Sequence, residues 1–305
     1  MSKTSNSSFK TALSVKTGFT WWRFRRQLLN GAAISGSIQV ENLNDGIFRY
    51  SNAIARSDLL KLIGLGQISL PEEILKDDLK RSTIRVWLDE RSYILKKYRC
   101  LHCWSMVSPD QKGWLGAHRL NNDVACYAWY RRNDLSYAVI VYEDAGDLDL
   151  YMPQCLQSPP ERLNELFLQA GVMLALLHRQ NAFHADTKPG NFVYFGKQAN
   201  PQLKLIDTDD VRTYRKISKH RRIRNLAQFI GCTRPEFRQL YPSAWEAFFQ
   251  GYLQHSGTSP KELLAMFPAL QKSVDSLYPE RESLNHQLLP QFEAQLAAYT
   301  RKSES

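Results

Sequence analysis

Two polar segments constrain this 305-residue chain more than any other feature. The first is His184–Asn191, which reads H-x-D-x-K-x-x-N. The second is Leu203–Asp210, in which a short apolar strand ends in the carboxylates of Asp207, Asp209 and Asp210. Carboxylate and amide oxygens are the ligands that hard cations such as Mg²⁺ prefer. The two segments therefore predict a polar site built from a loop and from the C-terminal tip of a strand.

The spacing of the first segment is typical of a phosphotransferase catalytic loop. Asp186 is predicted to orient an acceptor hydroxyl and to take its proton, and Lys188 to reach the transferred phosphoryl group. Asn191 and Asp207 are predicted to hold Mg²⁺ through oxygen. His184 is interpreted as structural, with its ring bonded to backbone near the strand end. Chance coincidence of a polar turn and an acidic strand end is the alternative.

The loop formed by His184, Asp186, Lys188 and Asn191 resembles the catalytic loop of the protein-kinase-like superfamily. The ending Ile206–Arg212 is more similar to that of the bacterial lipopolysaccharide core kinases, the Kdo and heptose kinases, than to that of eukaryotic protein kinases. The latter carry D-F-G where this chain has Asp207-Thr-Asp209. The resemblance covers roughly residues 70–232. It implies an α+β, two-lobed protein-kinase-like fold, with a small antiparallel β-rich N-lobe and a helical C-lobe, and ATP and Mg²⁺ as cofactors.

Three strands are expected before residue 100, at 73–76, 83–88 and 92–98. The resemblance places the nucleotide-phosphate lysine of the third strand at Lys96. Lys97 should point to the opposite face, because side chains alternate along a strand. A solvated lysine at a sheet edge is the alternative for Lys96.

The turn at 77–82 contains no glycine, whereas protein kinases cover the phosphates with a glycine-rich loop. The corresponding loop of the lipopolysaccharide kinases is often basic, so Lys80 and Arg81 are predicted to contact phosphate. An exposed basic turn is the competing interpretation.

A helix is expected at 110–122, where a kinase carries the glutamate that pairs with its phosphate lysine. No Glu occurs between Arg91 and Tyr142, so Asp110 or Asp123 is the candidate partner of Lys96. Glu143 and Ala145 fall where the resemblance places the hinge that binds adenine through its backbone.

The sequence predicts an N-terminal extension at 1–68, an N-lobe at 69–143 and a C-lobe at 144–305. Short strands near 36–41 and 46–50 and a helix near 57–63 are expected in the extension. In the C-lobe, Pro159 and Pro160 open a helix with a buried apolar face, and further helices are predicted at 235–255 and 283–301.

Basic residues follow Asp210, and they have two possible interpretations, a solvated helix face or an anion-binding surface. They are Arg212, Arg215, Lys216, Lys219, His220, Arg221, Arg222 and Arg224.

The formal net charge of +10 favours an anionic partner. The segment 19–29 alternates aromatics with arginines, which suits either a membrane interface or packing on the domain. No apolar run long enough for a transmembrane helix and no secretory signal is expected.

Five cysteines without framework spacing fit a reducing cytoplasm. Cys100-x-x-Cys103 is interpreted as two incidental thiols rather than as half a zinc site or a redox pair.

The function favoured by the resemblance is ATP- and Mg²⁺-dependent phosphorylation of a sugar hydroxyl of a lipopolysaccharide core precursor. The expected partner is an anionic glycolipid, with peripheral contact at the cytoplasmic face of the inner membrane and no nucleic acid. Two alternatives stay open. One is a kinase of another small molecule or of protein Ser/Thr, although no A-P-E triplet follows Asp207. The other is a pseudokinase scaffold, which the missing glutamate and glycines would favour.

Overall fold

The computed structural model describes residues 38–66, 68–99, 107–121, 125–150, 152–232 and 242–281. It also describes a few positions near the two ends, namely 14–15, 25–26, 28–29, 290, 293–294, 296–297 and 301. The described residues form two compact units. The sheet unit takes its residues from Lys16–Asp144 and Asp207–Asp210, and the helical unit takes them from Met1–Val15, Ala145–Ile206 and Val211–Ser305.

The sheet unit is built on one antiparallel sheet of seven described strands. In chain order these are β1 (Ile38–Leu43), β2 (Gly46–Ser51), β3 (Glu72–Asp77), β4 (Arg81–Leu88), β5 (Arg91–Arg99), β6 (Cys126–Arg132) and β7 (Tyr137–Glu143). Their spatial order is β1-β2-β6-β7-β5-β4-β3. Two helices accompany them, α1 (Arg56–Leu62) and α2 (Pro109–Ala117). A two-residue strand also occurs in this unit at Leu120–Asn121, and another, Ser14–Val15, belongs to the helical unit.

Strand β4 shows why this sheet has one apolar face. Its side chains alternate between buried and half-buried along the whole strand, as the alternation at 83–88 predicts. Ile84, Val86 and Leu88 join Leu95 in a cluster that packs against Leu59 of α1. The β4–β5 turn is made by Asp89 and Glu90, and the positive φ of Asp89, 54°, is one that aspartate tolerates in turns.

The opposite face of the sheet carries Lys96, and helix α2 packs on it. In the sheet, Lys96 lies between Thr83 of β4 and Ile140 of β7. Lys97 points the other way and forms an ion pair with Glu72 at 3.5 Å. The predicted alternation of the two lysines is therefore confirmed, and the phosphate-lysine candidate lies on a buried face rather than at a solvated edge.

The helical unit is organised around the pair formed by α4 and α6. Its helices are α3 (Pro153–Leu156), α4 (Pro160–Arg179), α5 (Lys219–Cys232), α6 (Pro242–Ser256), α7 (Pro260–Leu264) and α8 (Phe267–Leu277). Two glycines let α4 and α6 approach closely. A Cβ at Gly171 would lie 2.1 Å from the carbonyl oxygen of Phe248, and one at Gly251 would lie 2.4 Å from that of Leu168. Larger side chains at these glycines would push the helices apart.

Five short strands frame the loops of the helical unit: β8 (Leu148–Asp149), β9 (Ala182–His184), β10 (Phe192–Tyr194), β11 (Lys204–Leu205) and β12 (Val211–Thr213). Strand β9 pairs with β12, and β10 lies between β8 and β11. The aromatic core beneath them includes Phe167, Phe192, Phe229, Trp245 and Phe248, which stack or meet edge to face.

The predicted α+β class is confirmed, with an antiparallel sheet in the N-terminal half and helices in the C-terminal half. The strands and the helix expected within 36–63 are present, with ends shifted by at most two residues. Helix α2 is shorter than predicted, since it ends at Ala117 and a two-residue strand follows at 120–121. Most of the helix predicted at 283–301 lies outside the described residues. No helix in the described part of the chain is long and apolar enough to cross a membrane.

Candidate active site

The loop 185–191 of the helical unit follows a buried histidine whose two ring nitrogens each bond a backbone group. His184 closes β9, and its Nε2 donates to the carbonyl oxygen of Ile206 at 3.3 Å. Its Nδ1 accepts from the amide of Asp186 at 3.1 Å. These bonds define the neutral tautomer and tie the start of the loop to the end of β11. His184 is therefore structural, as predicted.

Asp186, Lys188 and Asn191 come together in this loop. The Nζ of Lys188 lies 2.7 Å from Oδ2 of Asp186, and both side chains are nearly half exposed. The buried Asn191 donates its Nδ2 to the backbone carbonyl of Asp186 at 2.7 Å and to Oδ2 of the same residue at 3.1 Å. The carboxylate of Asp186 is thus held from two sides and remains open to solvent.

Helix α5 holds the loop from below through two amide side chains that the sequence analysis did not identify. Asn225 donates Nδ2 to the carbonyl oxygen of His184 at 2.5 Å, and Gln228 donates Nε2 to that of Ala185 at 2.6 Å. Thr187 donates its hydroxyl to the carbonyl oxygen of Asn225 at 2.9 Å. The signal in the sequence was weak, because the two amides lie among the apolar side chains of Leu226, Phe229 and Ile230 on the buried face of α5.

The network continues inward to His178 at the end of α4. Its Nδ1 pairs with the hydroxyl of Tyr252 at 2.8 Å, and its Nε2 lies 3.2 Å from Oδ1 of Asn225. Burial lowers the pKa of His178 to about 4, so the ring is neutral at physiological pH. The loop 185–191 is therefore anchored to three helices of its own unit, α4, α5 and α6.

In the sheet unit, the ammonium group of Lys96 is buried and paired with two carboxylates. Its Nζ bonds Oδ1 of Asp207 and lies 3.4 Å from Oδ1 of Asp209. It also lies 5.3 Å from the centre of the Tyr142 ring. Burial alone would lower the pKa of Lys96, but the charges of Asp209 and Asp207 outweigh it and raise the pKa above its usual value. Lys96 is thus a fixed cation.

The prediction that Asp110 pairs with Lys96 is wrong. Asp110 is fully buried, but its Oδ2 accepts from Nε1 of Trp129 at 3.0 Å and lies 3.7 Å from Nε of Arg131. Oδ2 of Asp110 therefore pairs with Trp129 and Arg131 rather than with Lys96. Asp123, the other candidate, lies outside the described residues.

Two features fix the position of segment 207–210, namely the positive φ of Asp207 and a close contact with Gly116 of α2. Asp207 has φ of +57°, a left-handed conformation that aspartate adopts more readily than most residues. At Gly116 of α2, a Cβ would lie 2.4 Å from the carbonyl oxygen of Thr208 and 2.6 Å from Cα of Asp209. The absence of a side chain at Gly116 is therefore what lets α2 press on this segment.

The two basic residues of the β3–β4 turn differ in position. Nη1 of Arg81 lies 3.7 Å from Oδ2 of Asp209, so Arg81 belongs to the same charged group as Lys96. Lys80 is exposed, and its amide donates to Oδ1 of Asp78 at 2.9 Å in a turn. The structure thus brings Arg81 to the Lys96 group and places the Lys80 side chain in solvent.

Glu143 ends β7, and its Oε2 accepts from the amide of Ala125 at 3.2 Å within the sheet unit. Ala145 is a buried residue at the start of the helical unit's main segment. Asp144, between them, forms an ion pair with Arg85 at 2.7 Å. The adenine-binding role of Glu143 and Ala145 remains a prediction.

The basic run lies at the N-terminal end of α5 and in the segment before it. The side chains of Arg215, Lys216, Lys219 and Arg224 are exposed, and within the described part of the chain none of them forms a salt bridge. Arg221 instead stacks over Tyr214 at 3.9 Å, and Arg222 donates to the Thr258 hydroxyl at 3.4 Å. The same helix therefore holds the Asp186 loop and presents exposed cations.

Only part of segment 19–29 can be placed. Leu28 is buried, and its carbonyl oxygen accepts from Nε1 of Trp114 at 3.2 Å, while the carbonyl oxygen of Leu29 accepts from Nε of Arg49 at 2.9 Å. The end of the segment thus packs on the sheet unit. Trp21, Trp22 and Arg23, and also Cys100 and Cys103, lie outside the described residues.

Comparison with known proteins gives structural neighbours only. No family model matches the sequence, and no curated protein matches it. The structures to which this chain is similar include one titled "WaaP in complex with acyl carrier protein", at 17% identity and a TM-score of 0.48, covering 80% of this chain and 94% of that one. Another is the autoinhibited serine kinase domain of the giant muscle protein titin, at 16% identity and a TM-score of 0.37, covering 47% of this chain and 46% of that one. A serine kinase domain is thus among the structures to which this chain is similar.

Proposed function

We propose that the chain is a kinase that transfers the γ-phosphoryl group of ATP, with Mg²⁺, to a sugar hydroxyl of a lipopolysaccharide core precursor. The acceptor oxygen attacks the γ-phosphorus, the bond from that phosphorus to the bridging oxygen breaks, and ADP leaves. The hydroxyl proton passes to Asp186. Such a reaction requires mainly positioning and charge stabilisation from the protein.

The observation that carries this proposal is the arrangement around Asp186. Its carboxylate is solvent-accessible, yet Lys188 at 2.7 Å and Asn191 at 3.1 Å fix one of its oxygens. The other oxygen is therefore available to accept a proton from a bound hydroxyl. Lys188 is close enough to Asp186 to place a positive charge beside the phosphoryl group that the hydroxyl attacks.

The donor set suits a hard cation. Because Nδ2 of Asn191 donates to two oxygens of Asp186, its amide oxygen is the end left to bind a cation. Asp207 adds a carboxylate. Bound there, Mg²⁺ would neutralise charge on the nucleotide phosphates. In the sheet unit, Lys96 and Arg81 offer fixed cations for those phosphates, and the exposed Lys80 offers a flexible one.

The anionic acceptor is supported by α5. This helix fixes the Asp186 loop through Asn225 and Gln228, and its N-terminal half carries exposed Lys219 and Arg224. Core glycolipids bear carboxylates and phosphates, which such cations bind by charge-assisted hydrogen bonds. A cytoplasmic enzyme that contacts the inner-membrane face would meet this acceptor there.

Mass spectrometry of core oligosaccharide from cells with and without the gene tests the proposal. We expect one phosphate on a core sugar to disappear when the gene is deleted and to return with the intact gene but not with Asp186→Asn. An unchanged core in the deletion strain would contradict the lipopolysaccharide acceptor and leave a kinase of another small molecule or of protein.

A pseudokinase scaffold is the second candidate, and the direct bond between Lys96 and Asp207 favours it, since this pair occupies two groups that the reaction needs. Titration with ATP, with and without Mg²⁺, separates the two. A kinase should bind ATP more tightly with Mg²⁺ and consume it, whereas a scaffold should not turn it over.

A further inference from the structure

The described residues of helix α2 do not provide the acidic partner of Lys96 that the kinase resemblance places there. No Glu occurs between Arg91 and Tyr142. Asp110 of α2 accepts a hydrogen bond from Trp129 and forms an ion pair with Arg131 instead. A buried ammonium group nevertheless requires a compensating charge. The structure provides that charge from segment 207–210.

Asp209 has the geometry of a dedicated partner. One of its oxygens lies 3.4 Å from Nζ of Lys96, and the other lies 3.7 Å from Nη1 of Arg81. It therefore sits between the two cations that are proposed to bind phosphate. A carboxylate in this position fixes both side chains relative to each other.

Asp207 also bonds Lys96, but its carboxylate has a second proposed use as a ligand of Mg²⁺. A divalent cation competes with the ammonium group for the oxygens of Asp207, because it carries the larger charge. Asp209 is the carboxylate that stays available to Lys96 when Asp207 is engaged. The two aspartates of Ile206-Asp-Thr-Asp209 thus divide the two tasks.

The contact at Gly116 supports this division. Helix α2, which holds no carboxylate for Lys96 among its described residues, touches the backbone of Thr208 and Asp209 where a Cβ would not fit. The helix therefore acts on Lys96 indirectly, by holding the segment that carries Asp209.

We infer that Asp209 is the positioning residue of Lys96, and that it replaces, from the segment after β11, the glutamate that is absent from α2. This inference rests on the proposed kinase function for its catalytic consequence. The ion pair itself exists without any ligand, which gives a second way to test it.

The first test measures ATP turnover of the full chain and of Lys96→Met, Asp209→Asn, Asp209→Glu and the double variant Lys96→Met/Asp209→Asn. We expect Asp209→Asn to lower kcat about tenfold or more, since small misplacement of a catalytic group can cost up to about 10²-fold. Asp209→Glu should recover part of the loss, and Asp209→Asn should cost nothing further in the Lys96→Met background. The control Asp45→Asn removes an exposed carboxylate that pairs with Arg132 at 3.8 Å in the same unit, and should leave kcat unchanged.

The second test uses thermal unfolding without nucleotide. Asp209→Asn should lower the unfolding midpoint in the wild-type background and leave it nearly unchanged in the Lys96→Met background, because the coupled pair is then already broken. Additive effects in unfolding, or wild-type kcat in Asp209→Asn, would overturn the inference. Absence of ATP turnover in the wild-type chain would contradict the proposed function instead, and the unfolding test would still decide whether Asp209 holds Lys96.

Discussion

Replacement of Asn225 by alanine is the perturbation that most directly tests how the Asp186 loop is held. Asn225 is fully buried, donates to the carbonyl oxygen of His184 at 2.5 Å and faces Nε2 of His178 at 3.2 Å. Alanine removes both bonds, together with the contacts of Nδ2 to Thr187 at 3.2 Å and to Gln228 at 3.3 Å. Two buried polar groups, the His178 ring and the His184 carbonyl oxygen, then lose the partner that Asn225 provides. Each unsatisfied buried group costs about 1–3 kcal/mol, so the expected loss in the free energy of unfolding is about 4 kcal/mol.

Urea denaturation followed by far-UV circular dichroism measures this loss. With a denaturant dependence of about 2 kcal/mol per M, the midpoint should fall by about 2 M. Gln271→Ala is the matched control, because Gln271 bonds Asp275 at 3.1 Å on the surface of α8 and its removal should change stability by less than about 0.5 kcal/mol. A midpoint for Asn225→Ala within error of that control would refute the anchoring role of α5.

Three further predictions follow from the described contacts. Burial lowers the pKa of His178 from 6.5 to about 4, so the unfolded state takes up a proton at a higher pH than the folded state does. The free energy of unfolding should therefore be greatest above pH 6.5 and should fall by about 3 kcal/mol as the pH is lowered to 4. Unfolding midpoints compared across that range should fall less in His178→Gln. The double variant Lys219→Glu/Arg224→Glu should raise the KM for an anionic acceptor several-fold and leave the KM for ATP unchanged in steady-state assays. The control Lys272→Glu reverses an exposed charge on α8 and should change neither KM. Deletion of residues 1–30 should weaken sedimentation with anionic vesicles, and equal sedimentation of both forms at low salt would exclude a membrane anchor there.

Sequence pattern was sufficient to predict the structure where the residues that contact one another belong to the same strand, helix or loop. Alternation predicted β4, and helical spacing predicted that Leu163, Leu166 and Leu174 of α4 are buried. The spacing of the catalytic-loop residues predicted that Asp186, Lys188 and Asn191 lie together. In each case the interacting residues are close in sequence, so the pattern itself contains the contact.

Long-range partners could not be predicted in this way. The carboxylates that pair with Lys96, Asp207 and Asp209, lie more than a hundred residues away in sequence. Asp110, which is nearer in sequence, accepts from Trp129 instead. Asn225 and Gln228 lie at positions where the helical period calls for apolar side chains. Periodicity therefore predicts that they are buried but does not predict what their amides bond. Their roles depend on which loop packs against α5, and only the tertiary structure shows that.

Transfer of the γ-phosphoryl group from radiolabelled ATP to isolated core lipopolysaccharide tests the central claim most directly. The wild-type chain should label the glycolipid only when Mg²⁺ is present and should leave casein unlabelled. Asp186→Asn should bind ATP with unchanged stoichiometry and transfer about 10²–10⁴-fold more slowly, the range that a general base contributes. Equal transfer by wild type and Asp186→Asn, or label on casein with none on the glycolipid, would contradict the account.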